Sequence, residues 1–175
     1  SSNFKNYLQN IDQKRQKKIL QKSDQIISEL QNKITELKDM MVSNPTSLLL
    51  KEWKDNLEVA QTNLDSLKSY EDLLTSKNQI IELLNSKKQL EGIIETSNST
   101  IEELKEYLKK NITSELAPLI LDQIKSFEEV IRSENIKKIT NKNKKSKEFI
   151  YEKFIEPEEK RIAEEQAAEV KKIEE

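Results

Sequence analysis

Residues 20–41, LQKSDQIISELQNKITELKDMM, decide the fold class. Within them Leu20, Ser23, Ile27, Leu30, Ile34, Leu37 and Met41 recur at alternating steps of three and four. That period follows the turn of an α-helix, so these side chains form one stripe along a rod that packs nearly parallel to another. Upstream, Phe4, Leu8 and Ile11 keep similar spacing until Arg15 interrupts it, and Gln13 to Lys18 is strongly polar. A helical turn there projects past its partners or packs loosely.

Downstream, Asn44-Pro45 is the clearest punctuation. Asn caps helix N-termini, Pro fits a first helical position, and Pro disfavours helix in the residue before it. A second helix is therefore expected from Asn44, carrying Leu50, Trp53, Leu57, Ala60, Leu64 and Leu67. A phase shift near Tyr70 hands the stripe to Leu73, Ser76, Ile80, Leu83, Lys87, Leu90 and Ile94. Doubled apolar pairs such as Leu73-Leu74 and Ile80-Ile81 widen it, which favours three or more packed helices over a two-stranded seam. Residues 96–100 read TSNST, and Ser99 with Glu102 has capping-box spacing, so a turn is expected there. The rival reading is an unbroken helix, because Ile94, Ser97, Ile101, Leu104 and Leu108 hold one register across it. Asn111 to Pro118 forms another break before Leu119, Ile120, Ile124, Phe127, Val130 and Ile131.

These patterns predict an all-α protein, an elongated antiparallel helical bundle or coiled coil of about three long helices with a C-terminal helical tail. Its expected divisions are a bundle over residues 1–136, a Lys-rich linker over 137–147 and an amphipathic, charged helix over 148–175. No sequence repeat of fixed period stands out, which argues against a solenoid.

Composition agrees. The 175 residues include one Gly, three Pro, no Cys and no His. Compact β and α/β folds need many glycines for turns and phosphate loops, whereas helices need few. Charged residues make up 35% of the chain, yet Leu, Ile, Val and Phe still number 48, enough to supply a narrow core. The net charge of −2 argues against a general polyanion binder. No apolar run approaches the roughly 18 residues of a membrane-spanning helix. The chain opens on Ser1-Ser2 and stops within a helical pattern at Glu175, as a piece of something longer would.

Most nucleophile-activating and metal-binding designs use His or Cys, and phosphate loops need clustered glycines; this chain has only Gly92. Paired acids such as Glu102-Glu103, Glu128-Glu129 and Glu158-Glu159 point different ways from a helix and read as solvated faces. No catalytic residue, cofactor site or metal site is expected, and the protein is read as a non-enzyme.

Two stretches are candidates for binding. Lys137, Lys138, Lys142, Lys144, Lys145 and Lys147 form a run without an acid, suited to an anionic surface or to balancing the acidic tail. Nucleic acid is disfavoured, since no aromatic residue interleaves the run. A second basic cluster is Lys14, Arg15, Lys17, Lys18 and Lys22. Phe149, Ile150, Tyr151, Phe154 and Ile155 then concentrate apolar and aromatic surface, either as an anchor for the tail or as a docking patch for a partner. From Glu156 to Glu175 eight acids face four bases, and Ile162, Gln166, Val170 and Ile173 form a narrow stripe. A lone helix of that kind is marginal in water and should pair with another.

The expected function is a structural or scaffolding segment of an intracellular assembly, binding protein partners, its own copies included, through helical faces. The alternatives are a helical bacterial surface adhesin and a membrane-associated helical module that docks on anionic lipid.

Overall fold

The computed structural model describes residues 2–174. It is all-α: 89% helical, with no strand among the described residues. The order is α1 (Ser2–Ser43), α2 (Leu50–Asp65), α3 (Tyr70–Lys110), α4 (Ala117–Arg132), α5 (Ile136–Ile150), a π-helical turn (Tyr151–Ile155) and α6 (Glu156–Glu174). The last three run on without a break. Two short helices of 16 residues thus alternate with three long rods. The chain divides into two compact units, one up to Lys88 and one from Gln89, with the boundary inside α3.

The first unit is an up-down-up bundle whose core is aliphatic around a single tryptophan. Ile26, Leu30, Ile34 and Leu37 of α1 meet Trp53, Ala60 and Leu64 of α2 and Leu73 and Ile80 of α3. Side-chain pairs fix the directions. Lys22 lies over the Tyr70 ring at 4.9 Å and Lys77 Nζ bonds Glu29 at 2.6 Å, so α1 and α3 advance together. Asn63 donates to Ser76, while Lys87 lies over Trp53, so α2 runs against α3. The second unit repeats the scheme with the end of α3, α4 and α5. Its core is Leu90, Ile101, Leu104, Ile120, Ile124, Phe127, Ile139 and Ile150.

Several local expectations are corrected. Asn44 does not cap the start of α2; its Nδ2 donates to the Met40 carbonyl at 2.8 Å and so closes the end of α1. Helix resumes only at Leu50, because residues 45–49 are spent on tight turns, Ser47 N bonding Asn44 O and Leu50 N bonding Ser47 O. The phase shift near Tyr70 is a real break. There α2 ends with Lys68 N bonding Asn63 O and Leu67 N bonding Leu64 O, leaving Leu67 left-handed at φ 47°. Ser69 then caps α3 by accepting from Asp72 N.

The turn expected over residues 96–100 does not form, and the unbroken-helix reading holds instead. Thr96 and Ser99 turn their hydroxyls back onto the Gly92 and Glu95 carbonyls, which satisfies them inside the helix. Burial of Ser97, Thr100, Ile101 and Leu104 outweighs the weak intrinsic helix preference of the Thr, Ser and Asn residues in this run. The Lys-rich stretch 137–147, expected as a linker, lies within α5. Asn135 caps that helix by accepting from Lys138 N at 3.0 Å, and Ile139, Ser146 and Ile150 pin its inner face.

An internal duplication is also present, which the sequence pattern alone conceals. Asn44, Thr46, Ser47 and Leu49 recur as Asn111, Thr113, Ser114 and Leu116 at one constant spacing. Their hydrogen bonds recur as well. Asn111 Nδ2 donates to Tyr107 O, Ser114 N to Asn111 O, Leu116 N to Ser114 Oγ and Ala117 N to Ser114 O, each matching its counterpart in the earlier loop. At the same spacing Ile34 and Leu37 match Ile101 and Leu104, and left-handed Leu67 matches left-handed Glu134 at φ 52°. Trp53 and Ala60 are replaced by Ile120 and Phe127, so the large ring changes layer while the filled volume stays similar.

Glycine is placed where backbone freedom is not needed. Gly92 sits within α3 without a positive φ, and a Cβ there would meet nothing within 4 Å. Gly92→Ala should therefore raise stability by about 1 kcal/mol. Leu67→Gly should raise it by less, since relief of a left-handed strain of roughly 1–2 kcal/mol is partly offset by added freedom in the unfolded chain. Urea melts of both variants against the parent check the pair.

Candidate interaction surfaces

The Lys run becomes a face once α5 is built. Ile139, Ser146 and Ile150 look inward, which turns Lys137, Lys138, Lys144, Lys145 and Lys147 outward and leaves them exposed. None of the five makes an ion pair among the described residues. Lys142 is set apart from them. It lies at the edge of the buried face, where Nζ donates to Gln123 Oε1 of α4 at 3.2 Å, and partial burial, then the nearby Lys145 charge, lowers its pKa.

The aromatic cluster is divided by the same helix. Ile150 is core. Phe154 stacks on Tyr107 of α3 at 4.2 Å between centroids and 9° between planes, and Phe149 meets Phe154 edge-on at 6.3 Å. These three rings tie the π turn to the end of α3. Only Tyr151 and Ile155 remain on the outside; the Tyr151 hydroxyl donates to Glu159, whose charge is the main cause of a raised phenol pKa. The π turn follows from Pro157. Proline cannot donate to the carbonyl four residues back and its ring crowds that carbonyl. The widened turn, with Glu156 N bonding Tyr151 O, admits it without ending the rod.

Two further surfaces develop features expected from the sequence, the second basic cluster and the narrow stripe of the tail. The first is the opening half of α1. It is helical throughout, including Gln13 to Lys18, yet none of its residues is buried before Ile26. Phe4, Tyr7, Ile19 and Leu20 are each more than 60% exposed, and Lys14, Arg15, Lys17, Lys18 and Lys22 share the surface. The second is α6, which buries no residue and exposes Ile162, Val170 and Ile173. On its polar side Arg161 bonds both Glu158 and Glu165, which raises the guanidinium pKa and lowers that of Glu158. The polar turn at Gln13 to Lys18 interrupts the seam, and among the described residues no residue of α1 before Ile26 is buried.

The second unit also holds a partly buried polar layer. Thr100 Oγ1 donates to Asn143 Oδ1 at 2.6 Å, and Ser146 Oγ and Lys142 Nζ share Gln123 Oε1. Ser97 Oγ is buried beside them without a partner. Among the described residues no three His, Cys, Asp or Glu side chains converge as metal ligands, and no helix is long and apolar enough to cross a membrane.

Opposite outcomes are expected from two conservative changes in this layer. Ser97→Ala removes an unsatisfied buried oxygen and should stabilise by about 1 kcal/mol, whereas Thr100→Val strands Asn143 and should destabilise by about 1–2 kcal/mol. Thermal melts that show both changes to be destabilising would refute the hydrogen-bond assignment. In comparisons with known proteins, the chain matches no protein family, no curated protein and no solved structure.

Proposed function

We propose that this chain is a non-enzymatic structural segment that joins protein partners through open helical faces. The observation that carries the proposal is the first half of α1 and all of α6, two amphipathic helical stretches whose apolar stripes stay exposed among the described residues. Isolated helices of this length are marginal in water, and an uncovered apolar stripe is stabilised by a partner. The lack of His and Cys supports the non-catalytic part of the reading, because the usual nucleophile, general-base and thiolate chemistry has no residues to use.

Capture with the full chain as bait should recover a defined set of proteins. A bait beginning at residue 24, and a second ending at residue 156, should each lose part of that set while keeping the helical circular-dichroism signature of the two bundles. Identical recovery by all three baits would overturn the reading.

The outward fan of five lysines on α5 favours a second reading, attachment of the same segment to an anionic lipid surface. Each Lys near such a surface contributes about 1 kcal/mol, falling off within a Debye length. Changing Lys137, Lys138, Lys144, Lys145 and Lys147 to Gln should abolish co-sedimentation with phosphatidylserine vesicles and leave neutral vesicles unaffected. Equal pelleting of the parent chain with both vesicle types would discard this reading.

A further inference from the structure

The two open stretches occupy equivalent ends of the duplicated design. In each unit a long rod supplies the opening helix with its second half, and the next rod supplies the closing helix with its first half. The opening half of α1 therefore has the build of a closing helix without an opening one, and α6 has the build of an opening helix without a closing one. Inside the first unit these two kinds of helix run parallel, as the Lys22–Tyr70 and Glu29–Lys77 pairs establish.

From this we infer that the partner covering α1 is the α6 helix of a second copy of the chain, laid parallel along it; the inference rests on the structural reading above. Two observations select this occupant. The first is charge. Residues 2–25 carry six bases, Lys5, Lys14, Arg15, Lys17, Lys18 and Lys22, against Asp12 and Asp24, while α6 has seven Glu against four bases. Pairing α1 with a second α1 would set base against base, and pairing two α6 helices would set acid against acid.

The second observation is register. Placing Ile162 beside Ile11 in a parallel pair sets Ile155 beside Phe4, Lys14 beside Glu165 and Lys18 beside Glu169. All four pairs fall at a single alignment. Phe4, Ile155 and Ile162 are exposed within the single chain and free to be covered. The contact is heterologous, since it joins one end of a copy to the other end of the next, so association continues past the dimer or closes into a ring. It also repeats, between molecules, the rod-to-rod contact that each unit makes within one.

Sedimentation velocity over a concentration series, with the full chain in low salt, tests the inference. The parent should form species larger than a dimer as concentration rises. Lys14→Glu with Lys18→Glu, and separately Glu165→Lys with Glu169→Lys, should each weaken association by at least about tenfold, because attraction becomes repulsion at both positions. An equimolar mixture of the two double variants should associate again, since each then offers the charge the other lacks; that recovery also shows both are folded. A parent that stays monomeric, a Glu-to-Lys variant that self-associates like the parent, or a mixture that stays monomeric would each overturn it. A monomeric parent whose truncated baits still lose partners would remove this inference and leave the interaction reading standing.

Discussion

The arrangement depends on one constraint: each rod has a single aliphatic stripe and must cover it with two neighbouring helices. Leu30, Leu37, Ile80, Leu104, Ile120, Ile139 and Ile150 are all essentially sealed from solvent, although charged residues form more than a third of the chain. A narrow core of this kind is stabilised by area removed from water, at roughly 25 cal/mol per Å², rather than by polar contacts. The exposed ion pairs at Lys33–Glu36, Lys105–Glu102 and Lys109–Glu106 are local embellishments by comparison. Where the stripe goes uncovered, in early α1 and in α6, the helix persists but the burial that would hold it is missing.

Much of this was legible from residues alone. The period of three and four over residues 20–41 identified α1, and the breaks at Asn44 and Asn111 marked where rods end. What misled was local chemistry read without its surroundings. The TSNST run has poor helix formers, but hydroxyls bonding back to carbonyls and a packed inner face keep it helical. The Lys-rich run lacks an apolar majority, but Ile139 and Ile150 at the right separation are enough to dock it. The phase shift near Tyr70 marked this place without showing that a helix ends there, because the usual signal, a glycine in the left-handed position, is absent and Leu67 bears that strain instead. The candidate surfaces were only partly legible, since periodicity shows that a stripe exists but not whether the chain itself covers it.

The duplication illustrates how weakly a shared design can be written. The two loops share Asn, Thr, Ser and Leu at matching places and close through the same bonds. Elsewhere the equivalence survives as polarity and volume: Trp53 and Ala60 in one unit do the packing of Ile120 and Phe127 in the other. Side chains that cap and turn the backbone have few substitutes, whereas core positions tolerate exchange if the summed volume is kept. Identity therefore persists in the loops and dissolves in the helices.

The π turn at Tyr151–Ile155 has a consequence of its own. A single extra residue in a helical rod rotates everything after it by about a third of a turn relative to an uninterrupted α-helix. The compass bearing of Ile162, Val170 and Ile173 is consequently set by the number of residues between Ile150 and Pro157, more than by what those residues are. Substitutions inside the turn can be absorbed by repacking, but a deletion or insertion would swing the whole downstream stripe toward a different neighbour. In this part of the rod, direction is governed by the count of residues.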